Sequence, residues 1–472
     1  MGDRKVAGVV LAAGQGKRLH SETPKVLHRA AGRPLAGHVL AALAPLSLEP
    51  LIVVVPAGPN DVAASLAADG FSDVVYVVQE QPLGTGDAVR AAAGRFGGAT
   101  DVLIVNGDAP LIRPETLARL LEAHAGAAAA ATVAIAELDD PSGYGRIVRA
   151  VDDSVDAIVE ERDASEAQRR IREVNAGIYL FDAVQLAAVL DRIEPANAQG
   201  EYYLTDVVSL LRSGGRSVIG FGIDAEEMSG VNDRSQLAAV MHSLRQRTNA
   251  TCMTAGVTIV DPATTYIDAT VEIEPDVIVH PFTFLEGRTT IARGAVVGPN
   301  ARVVDSVLEG DAEVAFSVVR GSRVGRGARV GPYASLRPGT VLAAGAHIGT
   351  FVETKNSTLG EGSKAPHLSY LGDAEIGSGV NIGAGTITCN WDGVEKHATV
   401  IEDDAYIASD TMLVAPVKIG RRAATGAGAV VRDDVPDDAL AVGMPARVIQ
   451  GKGDKMRKAV PHDGDEEQPP RR

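Results

Sequence analysis

The second half of the chain repeats an aliphatic residue at every sixth position, and this period limits the fold more than any other feature. Three series share it: Ile267, Ile273, Val279, Leu285, Ile291, Val297 and Val303; Val318, Val324, Val330, Leu336, Leu342 and Ile348; Ile401, Ile407, Leu413, Ile419, Thr425 and Val431. Such a period fits neither a helix nor a simple strand. It is typical of a hexapeptide β-helix, whose aliphatic side chains point inward and whose coils take about 18 residues.

The repeat shifts register near 304–317 and 349–358, where we expect loops or irregular corners. One segment, 389–397, lacks the repeat and contains the single tryptophan, Trp391. Insertions from one face of a solenoid often carry function. From 451 onward the aliphatic period ends and Pro, Asp, Glu and Arg dominate, which predicts a disordered tail over 451–472.

The first half alternates short β-rich runs with Ala/Leu-rich helical segments. The strands are predicted over 6–12, 51–55, 74–78 and 101–106, and the helices over 38–46, 61–68 and 85–93. This alternation predicts a mainly parallel sheet covered by helices, in which ligands bind beyond the carboxyl ends of the strands. Apolar residues at helical spacing over 232–249 predict an amphipathic connecting helix. We therefore expect domains over 1–231 and 255–450, joined by a helical linker over 232–254.

Charge and cysteine content exclude several classes of protein. The chain has 45 Lys and Arg against 61 Asp and Glu, a formal net charge of −16, which argues against a general nucleic-acid or anionic-membrane binder. Two cysteines cannot build a disulfide framework or a four-cysteine zinc site, so a reducing cytoplasm is the simplest compartment. No stretch approaches the roughly 20 apolar residues of a membrane span. The apolar run near the start, Val6–Ala13, is interpreted as a buried strand rather than a signal peptide.

A glycine-rich loop, Gly14-Gln15-Gly16-Lys17-Arg18, follows the first predicted strand. Glycines allow backbone N–H groups to approach phosphate oxygens, and Arg18 and Lys25 supply positive charge. The loop is neither a dinucleotide fingerprint nor a Walker A motif, and such turns are often only structural. Two further features follow strand ends: Gln79–Asp87, which opens a helix, and Asp108, a carboxylate suited to Mg²⁺. A lone Gly-Asp is also common as a turn, but three such features at successive strand ends favour a phosphate site.

Several motifs together carry a family resemblance. They are Leu11–Leu19 with Pro24-Lys25, Leu83–Gly86, Gly143–Ile147, Asn197–Asp206 and Gly230–Asn232. With the hexapeptide half, they make the chain up to about residue 447 resemble the bacterial bifunctional N-acetylglucosamine-1-phosphate uridylyltransferase/glucosamine-1-phosphate acetyltransferases. The resemblance implies an α/β Rossmann-like nucleotidyltransferase domain, then a left-handed parallel β-helix that carries the acetyltransferase. It also implies a homotrimer that makes UDP-N-acetylglucosamine for peptidoglycan and lipid-linked glycans.

For the first domain, the resemblance implies a uridine-nucleotide site, a sugar site and a Mg²⁺ site. The nucleotide residues are Leu11, Ala12, Gly14, Arg18, Lys25, Gln79, Gly84 and Thr85; the sugar residues are Gly145, Glu160 and Asn175; the Mg²⁺ ligands are Asp108 and Asn232. The reaction is an in-line attack of N-acetylglucosamine-1-phosphate on the α-phosphorus of UTP. Asp87 replaces a common His and Pro82 a common Gln, so contacts to the base rest on Gln79 and the backbone.

His367 lies in a short motif, Lys364–Gly372, that also contains Tyr370. Its imidazole suits removal of a proton from an attacking amine, although a lone histidine is more often structural. The resemblance implies that His367 is the general base when the amine of glucosamine-1-phosphate attacks acetyl-CoA. It further implies two binding sets: Arg337, Lys355, Tyr370, Asn381 and Lys396 for the acceptor; Ala384, Asn390, Trp391, Ser409, Ala427 and Arg447 for acetyl-CoA. Met444 stands where a CoA-contacting Arg is usual, and whether Arg447 replaces it stays open.

Two other functions compete with this interpretation. A monofunctional sugar-1-phosphate nucleotidylyltransferase would use the β-helix only for assembly or regulation, which His367, Tyr370, Lys355 and the 390–396 segment argue against. A non-catalytic scaffold would leave the phosphate-site motifs without a purpose. We therefore expect small-molecule partners, namely glucosamine-1-phosphate, N-acetylglucosamine-1-phosphate, UTP and acetyl-CoA, and neither nucleic acid nor membrane insertion.

Overall fold

A sheet with helices on both faces forms the first part of the chain. The computed structural model describes residues 4–14, 16–58 and 62–452. Contacts divide the chain into two compact units, one up to Leu244 and one from Arg245 onward. The predicted domain bounds 231/232 and 254/255 flank this division.

The first unit contains eleven strands in its described part. They are β1 Val6–Leu11, β2 Arg29–Ala30, β3 Arg33–Pro34, β4 Leu51–Pro56, β5 Val75–Gln79, β6 Asp101–Asn106, β7 Ala131–Glu137, β8 Arg146–Arg149, β9 Val155–Val159, β10 Glu173–Asp182 and β11 Val218–Gly222. The α-helices of the described chain are α1 Leu35–Leu43, α2 Val62–Ala68, α3 Thr85–Ala93, α4 Pro114–Ala127, α5 Glu166–Arg169, α6 Ala183–Leu190, α7 Asp206–Ser213 and α8 Arg234–Thr254. Short 3₁₀ turns lie at Lys17–Leu19, Lys25–Leu27 and Ala44–Leu46.

The main sheet has the order β11-β7-β10-β6-β1-β4-β5, with β8 paired to β10 and β9. β1 runs parallel to β4 and β6, and β4 runs parallel to β5. The carboxyl ends of β1, β5 and β6 therefore lie at one edge, which confirms the predicted α/β sheet. β10 is the exception, because it runs antiparallel to both β6 and β7.

Both faces of this sheet are buried. Val9, which points to one face of β1, packs with helices α3, α6 and α7. Val10, its neighbour in the strand, points to the opposite face and packs with α1, α2 and α4. Burial on both faces explains why these strands are continuous apolar runs rather than alternating ones.

The second unit is built from short parallel strands. The first coils contain β12 Thr258–Ile259, β13 Tyr266–Ile267, β14 Glu272–Ile273, β15 Ile278–Val279, β16 Phe284–Glu286, β17 Thr290–Ile291, β18 Val296–Val297, β19 Arg302–Val304, β20 Val307–Leu308, β21 Glu313–Val314, β22 Val318–Arg320, β23 Arg323–Val324, β24 Arg329–Val330, β25 Ser335–Leu336 and β26 Val341–Leu342. The later coils contain β27 His347–Thr350, β28 Glu353–Lys355, β29 Thr358–Leu359, β30 Lys364–His367, β31 Tyr370–Gly372, β32 Ala374–Ile376, β33 Asn381–Ile382, β34 Ile387–Cys389, β35 Thr399–Ile401, β36 Tyr406–Ile407, β37 Met412–Val414, β38 Val417–Ile419, β39 Ala424–Thr425, β40 Val430–Val431, β41 Leu440–Gly443 and β42 Ala446–Ile449.

Every third strand belongs to the same sheet through most of this unit, so three parallel sheets form the faces of a prism. Ile267 pairs with Leu285, one coil of 18 residues later, as the period predicts. The inward aliphatic side chains, such as Leu285 and Val297, are fully buried in one continuous core. This arrangement is consistent with the predicted left-handed β-helix.

The prediction that Val318 points into the core is wrong. Val318 is half-buried, whereas Val319 is fully buried and pairs with Val303. The reason is that the coil between Val303 and Val319 has lost two residues, one at each of two corners. The core therefore continues through Leu308 and Val314, inside the predicted register shift.

Helix α8 contains the boundary between the two units. Leu237, Val240 and Leu244 pack in a small core of the first unit. Near the other end of the helix, the Asn249 side chain donates hydrogen bonds to the carbonyls of Pro262 and Thr265 in the second unit. The predicted helix over 232–249 is present and extends further, to Thr254. None of the helices in the described part of the chain is long and apolar enough to cross a membrane. Of the predicted tail, residues 453–472 lie outside the described part.

Candidate active sites

A cleft of about 520 Å³ opens at the edge where β1, β5 and β6 end. Most of the predicted nucleotide residues line it: Leu11, Gly14, Lys25, Gln79, Gly84 and Thr85. Ala12 is buried in the core and lines neither this cleft nor its neighbour. Gln15 of the glycine-rich loop lies outside the described residues.

A second cleft, of about 300 Å³, adjoins the first. It is lined by the remaining predicted residues of this unit, namely Arg18, Gly145, Glu160, Asn175 and Asn232. Leu11, Thr85, Asn106 and Asp108 line both clefts. The structure therefore places Asp108 where the predicted nucleotide and sugar sites meet.

Asp108 and Asn232 direct their oxygens to one point. The Lys25 ammonium lies there, in an ion pair with Asp108 and 2.7 Å from Asn232 Oδ1. A carboxylate and an amide oxygen are hard donors of the kind that Mg²⁺ prefers, and an ammonium between them shows that the point favours a cation. The residues present therefore fit a Mg²⁺ ion.

Gly84 allows the loop Gln79–Asp87, which is predicted to bind the nucleotide, to pack against the segment that contains Tyr202. Its φ is +115°, and a Cβ at this position would lie 2.6 Å from the Tyr202 carbonyl oxygen. Two backbone hydrogen bonds, Tyr202 N to Leu83 O at 2.8 Å and Gly86 N to Tyr202 O at 2.7 Å, tie the segments together. The Thr85 hydroxyl adds a third by accepting from the Leu204 N–H at 3.0 Å.

We expect Gly84→Ala to lower stability and to weaken UTP binding. The left-handed backbone and the contact with Tyr202 together cost about 1–3 kcal/mol, and relief of the clash would pull the loop away from the cleft. Thermal unfolding and the KM for UTP measure both effects. Gly94→Ala is the matched control, since Gly94 has a helical φ of −66° and open space around it. Equal thermal midpoints and KM values for the two variants would contradict this role for Gly84.

Glu160 is half-buried and lines the second cleft. Burial raises the pKa of its carboxyl, and the nearby carboxylates of Asp206 and Asp163 raise it further, against the hydrogen bond from Thr205. Its carboxylate also lies beside Gly145, where a Cβ would sit 3.4 Å from each carboxylate oxygen. A carboxylate placed this way can accept hydrogen bonds from sugar hydroxyl groups.

Three residues of this site were not predicted from the sequence. Asn106 lines both clefts and pairs in register with Leu11, so its place at a strand end was the available signal. Tyr179 accepts from Asn175 Nδ2 at 2.6 Å and fixes that side chain. Arg146 is fully buried, pairs with Glu161, and donates to a carbonyl oxygen of the loop that carries Gly145.

In the second unit, three predicted phosphate-binding cations lie together. Lys396 and then Arg337 lower the pKa of the Lys355 ammonium, which requires the three side chains to be close. Arg337 donates to Glu353 at 2.8 Å, and Glu353 pairs in register with Tyr370. The arrangement concentrates positive charge at one place on the β-helix, as binding of a phosphate dianion requires.

The Tyr370 ring lies directly over Gly372, where a Cβ would come 2.6 Å from the ring carbon that carries the hydroxyl. Beside it, Asp373 accepts from Asn356 at 2.8 Å and from Asn390 at 2.5 Å. Asn390 is the second residue of the predicted insertion 389–397; Cys389 ends β34, and the rest of the insertion lies between β34 and β35 with an antiparallel bridge from Trp391 to Lys396. This bridge holds Lys396 near Lys355.

His367 is exposed at the end of β30, opposite Thr350 in the preceding coil. On the same face, Asn381 pairs with Lys364, at the other end of β30. The side chain of His367 is therefore open to a substrate, and β30 and β31 place it three residues from Tyr370.

Three of the six predicted acetyl-CoA residues form a column at one corner of the β-helix. The Asp410 N–H donates to the Ala384 carbonyl at 2.7 Å, and the Gly428 N–H donates to the Ser409 carbonyl at 2.9 Å. These bonds stack Ala384, Ser409 and Ala427 on consecutive coils. Trp391 is exposed on the insertion, apart from this backbone ladder.

Arg447 lies on β42, which turns back antiparallel to β41 at the end of the sheet. It pairs with Val442, whose side chain is 2.9 Å from a Cβ built on Gly426, the residue before Ala427. Arg447 is exposed, and so is Met444. The strand neighbour of Arg447 therefore packs beside the column, and whether the Arg447 side chain takes the role of the usual arginine at 444 stays a prediction.

Comparison with known proteins identifies the family of the chain. The MobA-like NTP transferase domain family matches residues 8–175. The bifunctional protein GlmU of Streptomyces coelicolor is 50% identical over 444 residues, 93% of this chain and 92% of that protein. Bifunctional GlmU proteins of Brevibacillus brevis and Corynebacterium aurimucosum are each 46% identical, over 94% and 96% of this chain and 96% and 95% of their own lengths. The match covers both units almost completely, and the chain belongs to the GlmU family of bifunctional proteins.

Proposed function

We propose that the chain makes UDP-N-acetylglucosamine in two steps. The second unit transfers the acetyl group of acetyl-CoA to glucosamine-1-phosphate, and the first unit transfers UMP from UTP to the resulting N-acetylglucosamine-1-phosphate. The observation that carries the proposal is the meeting of two clefts at Asp108, with the predicted nucleotide residues in one and the sugar residues in the other. The product is a precursor of peptidoglycan and lipid-linked glycans.

The uridylyl transfer needs positioning and charge neutralisation rather than a covalent intermediate. An oxygen of the sugar phosphate forms a bond to the α-phosphorus of UTP, while the bond from that phosphorus to the bridging oxygen of pyrophosphate breaks. Glu160 and Asn175 hold the sugar, and Lys25 and Arg18 balance phosphate charge. We propose Asp108 and Asn232 as ligands of a Mg²⁺ ion, which would neutralise charge on the phosphates when bound.

The acetyl transfer needs a base, an anion site and a place for the thioester. We propose that His367 removes a proton as the substrate nitrogen attacks the acetyl carbonyl, after which the carbon–sulfur bond breaks and CoA leaves as the thiol. Arg337, Lys355 and Lys396 hold the sugar phosphate, with Tyr370 and Asn381 beside them. The corner formed by Ala384, Ser409 and Ala427 holds acetyl-CoA, with Asn390, Trp391 and Arg447 as further contacts.

We also propose a homotrimer. Phe316, Tyr333 and Phe351 lie at the same corner of successive coils, with adjacent ring centroids 5.7 Å apart, and all three are exposed. An exposed aromatic ridge of this kind is suited to burial against another copy. Sedimentation equilibrium would show three chains, and a monomer at working concentration would reject the proposal. Because UTP and acetyl-CoA are metabolites of the cell interior, we place the reactions in the cytoplasm.

The KM for N-acetylglucosamine-1-phosphate is expected to rise with acidity because of Glu160. Its raised pKa means that the carboxylate is protonated at a higher pH than the ordinary value of 4.5, and the protonated form accepts hydroxyl hydrogen bonds less well. In Glu160→Gln the KM for N-acetylglucosamine-1-phosphate is expected to be high at every pH at which wild-type Glu160 changes its protonation. Because Glu160→Gln is assayed with the same sugar phosphate, its profile corrects for titration of that substrate. A wild-type profile that coincides with the Gln profile would contradict this role.

A product assay tests the proposed function. The protein with glucosamine-1-phosphate, acetyl-CoA, UTP and Mg²⁺ is expected to form UDP-N-acetylglucosamine, detected by mass spectrometry. The monofunctional alternative predicts this product only when N-acetylglucosamine-1-phosphate is supplied directly. The extended match to bifunctional proteins does not favour that alternative.

A further inference from the structure

The side-chain amide of Gln79 is held in one orientation by two acceptors. Its Nε2 donates to the Gly84 carbonyl at 3.1 Å and to Asp87 Oδ2 at 2.8 Å. Neither partner carries a proton to donate, so the amide nitrogen, and not the oxygen, must face them. Gln79 is only 6% exposed, which leaves little room for the side chain to turn.

This orientation leaves Oε1 as the free polar atom of the side chain. Gln79 lines the first cleft, and no described residue donates a hydrogen bond to its Oε1. A ligand in the cleft therefore meets an acceptor at this point, and a donor on that ligand would satisfy it.

The end of the cleft near Gln79 is suited to a nucleobase. Lys25 is the one cation among the described residues that line this cleft, and it lies with Asp108 and Gly14 at the other end, whereas Pro82, Gly84 and Ala88 lie near Gln79, with the acidic Glu201 against Gly84. A nucleotide whose phosphates lie beside Lys25 has its base directed toward the end that contains no cation. The base then presents its polar edge to Gln79 Oε1.

We propose that Asp87 is a positioning residue that sets nucleotide specificity by locking Gln79 with its oxygen toward the base. This inference rests on the proposed uridylyl transfer. Uracil has an N–H at ring position 3 and donates to such an acceptor, while cytosine has an unprotonated nitrogen there and is repelled. Asp87 acts through Gln79 and need not touch the nucleotide.

The surroundings of Asp87 keep its carboxylate in place. Asp87 lies in the first turn of α3, where negative charge is favoured by the helix dipole. Arg90 lies 4.0 Å away and also pairs with Asp191 at 3.4 Å. Asp191 thus offers a matched control, because it shares Arg90 with Asp87 but has no contact with Gln79.

The test compares KM and kcat for UTP and CTP in five variants of the full chain, with N-acetylglucosamine-1-phosphate as acceptor. Asp87→Leu has a similar size and no acceptor, so we expect the KM for UTP to rise about tenfold, the factor expected for loss of one hydrogen bond of about 1.4 kcal/mol. We expect kcat to change less than about twofold and the preference for UTP over CTP to fall by about the same tenfold. Asp87→Asn retains an oxygen acceptor and should keep most of the wild-type preference.

Three further variants, namely Asp191→Asn, Gln79→Ala and the double variant Asp87→Leu/Gln79→Ala, separate positioning from a structural role. Asp191→Asn is expected to behave as wild type in both KM and preference. Adding Asp87→Leu to Gln79→Ala is expected to change the KM for UTP by less than about twofold, because the residue through which Asp87 acts is already gone.

The inference is overturned if Asp87→Leu keeps the wild-type UTP preference, if Asp191→Asn loses it equally, or if the effects of Asp87→Leu and Gln79→Ala are additive. Failure of the wild-type protein to release pyrophosphate from UTP would instead overturn the proposed function. The two failures are therefore distinguishable in one set of assays.

Discussion

His367→Ala is expected to reduce acetyl transfer by about 10²–10⁴-fold, the usual contribution of a general base, while uridylyl transfer stays at the wild-type rate. The imidazole is exposed at the end of β30 and fills no part of the core, so its removal should leave the β-helix intact. Release of the CoA thiol with glucosamine-1-phosphate measures the first activity, and pyrophosphate release measures the second.

The control for this variant is His347→Ala. His347 lies on β27, which pairs with β30, and occupies the position opposite Lys364. Its replacement removes a histidine from the same face without removing the proposed base, so acetyl transfer should stay within about threefold of wild type. Retention of acetyl transfer in His367→Ala, or an equal loss in His347→Ala, would remove His367 as the base.

Asp108→Ala is expected to reduce uridylyl transfer and to leave acetyl transfer intact, the opposite of the effect of His367→Ala. Pyrophosphate release should fall by about 10²–10³-fold, because the variant loses both the partner of Lys25 and a proposed ligand for Mg²⁺. Acetyl transfer in the same preparation should be unchanged. Asp108 lines both clefts at the cleft surface, so the variant should fold normally, which its thermal midpoint will show.

Asp108→Asn refines this prediction. The amide keeps the shape and can still accept from the Lys25 ammonium, but the negative charge is gone. If charge at this point matters, Asn should lose nearly as much activity as Ala and should need a higher Mg²⁺ concentration. Wild-type pyrophosphate release in both variants would contradict the central place of Asp108.

The period of six predicted most of the β-helix core because each inward side chain is set by its own coil. It failed at Val318, since two adjacent valines fit the pattern and only strand pairing selects one of them. Val319 pairs with Val303, and that pairing depends on corners that have lost a residue. Such deletions leave no hydrophobic signal of their own.

The phosphate end of the first cleft followed from sequence because strand ends of a parallel sheet meet at one edge. The sugar end was not predictable in the same way. It depends on β10, which runs antiparallel beside β6 and brings Asn175 and Tyr179 toward Asn106. Strand order and direction are set by long-range pairing, and neither alternation nor motif spacing encodes them.

In the cluster of Arg337, Lys355 and Lys396, the sequence period predicts the positions of the first two residues but not of the third. Arg337 and Lys355 are 18 residues apart, so one coil places them on the same face, as the period implies. Lys396 joins them through the bridge to Trp391 in the insertion, which no repeat predicts. Without the structure, only the family resemblance linked this lysine to the other two.

One measurement tests the central claim that a single chain performs both reactions. Purified protein is given glucosamine-1-phosphate with acetyl-CoA, then UTP with Mg²⁺, and the CoA thiol and pyrophosphate are counted separately. Our account predicts thiol release in the first stage and an equivalent amount of pyrophosphate in the second. Normal pyrophosphate release from N-acetylglucosamine-1-phosphate without any thiol release from glucosamine-1-phosphate would contradict it.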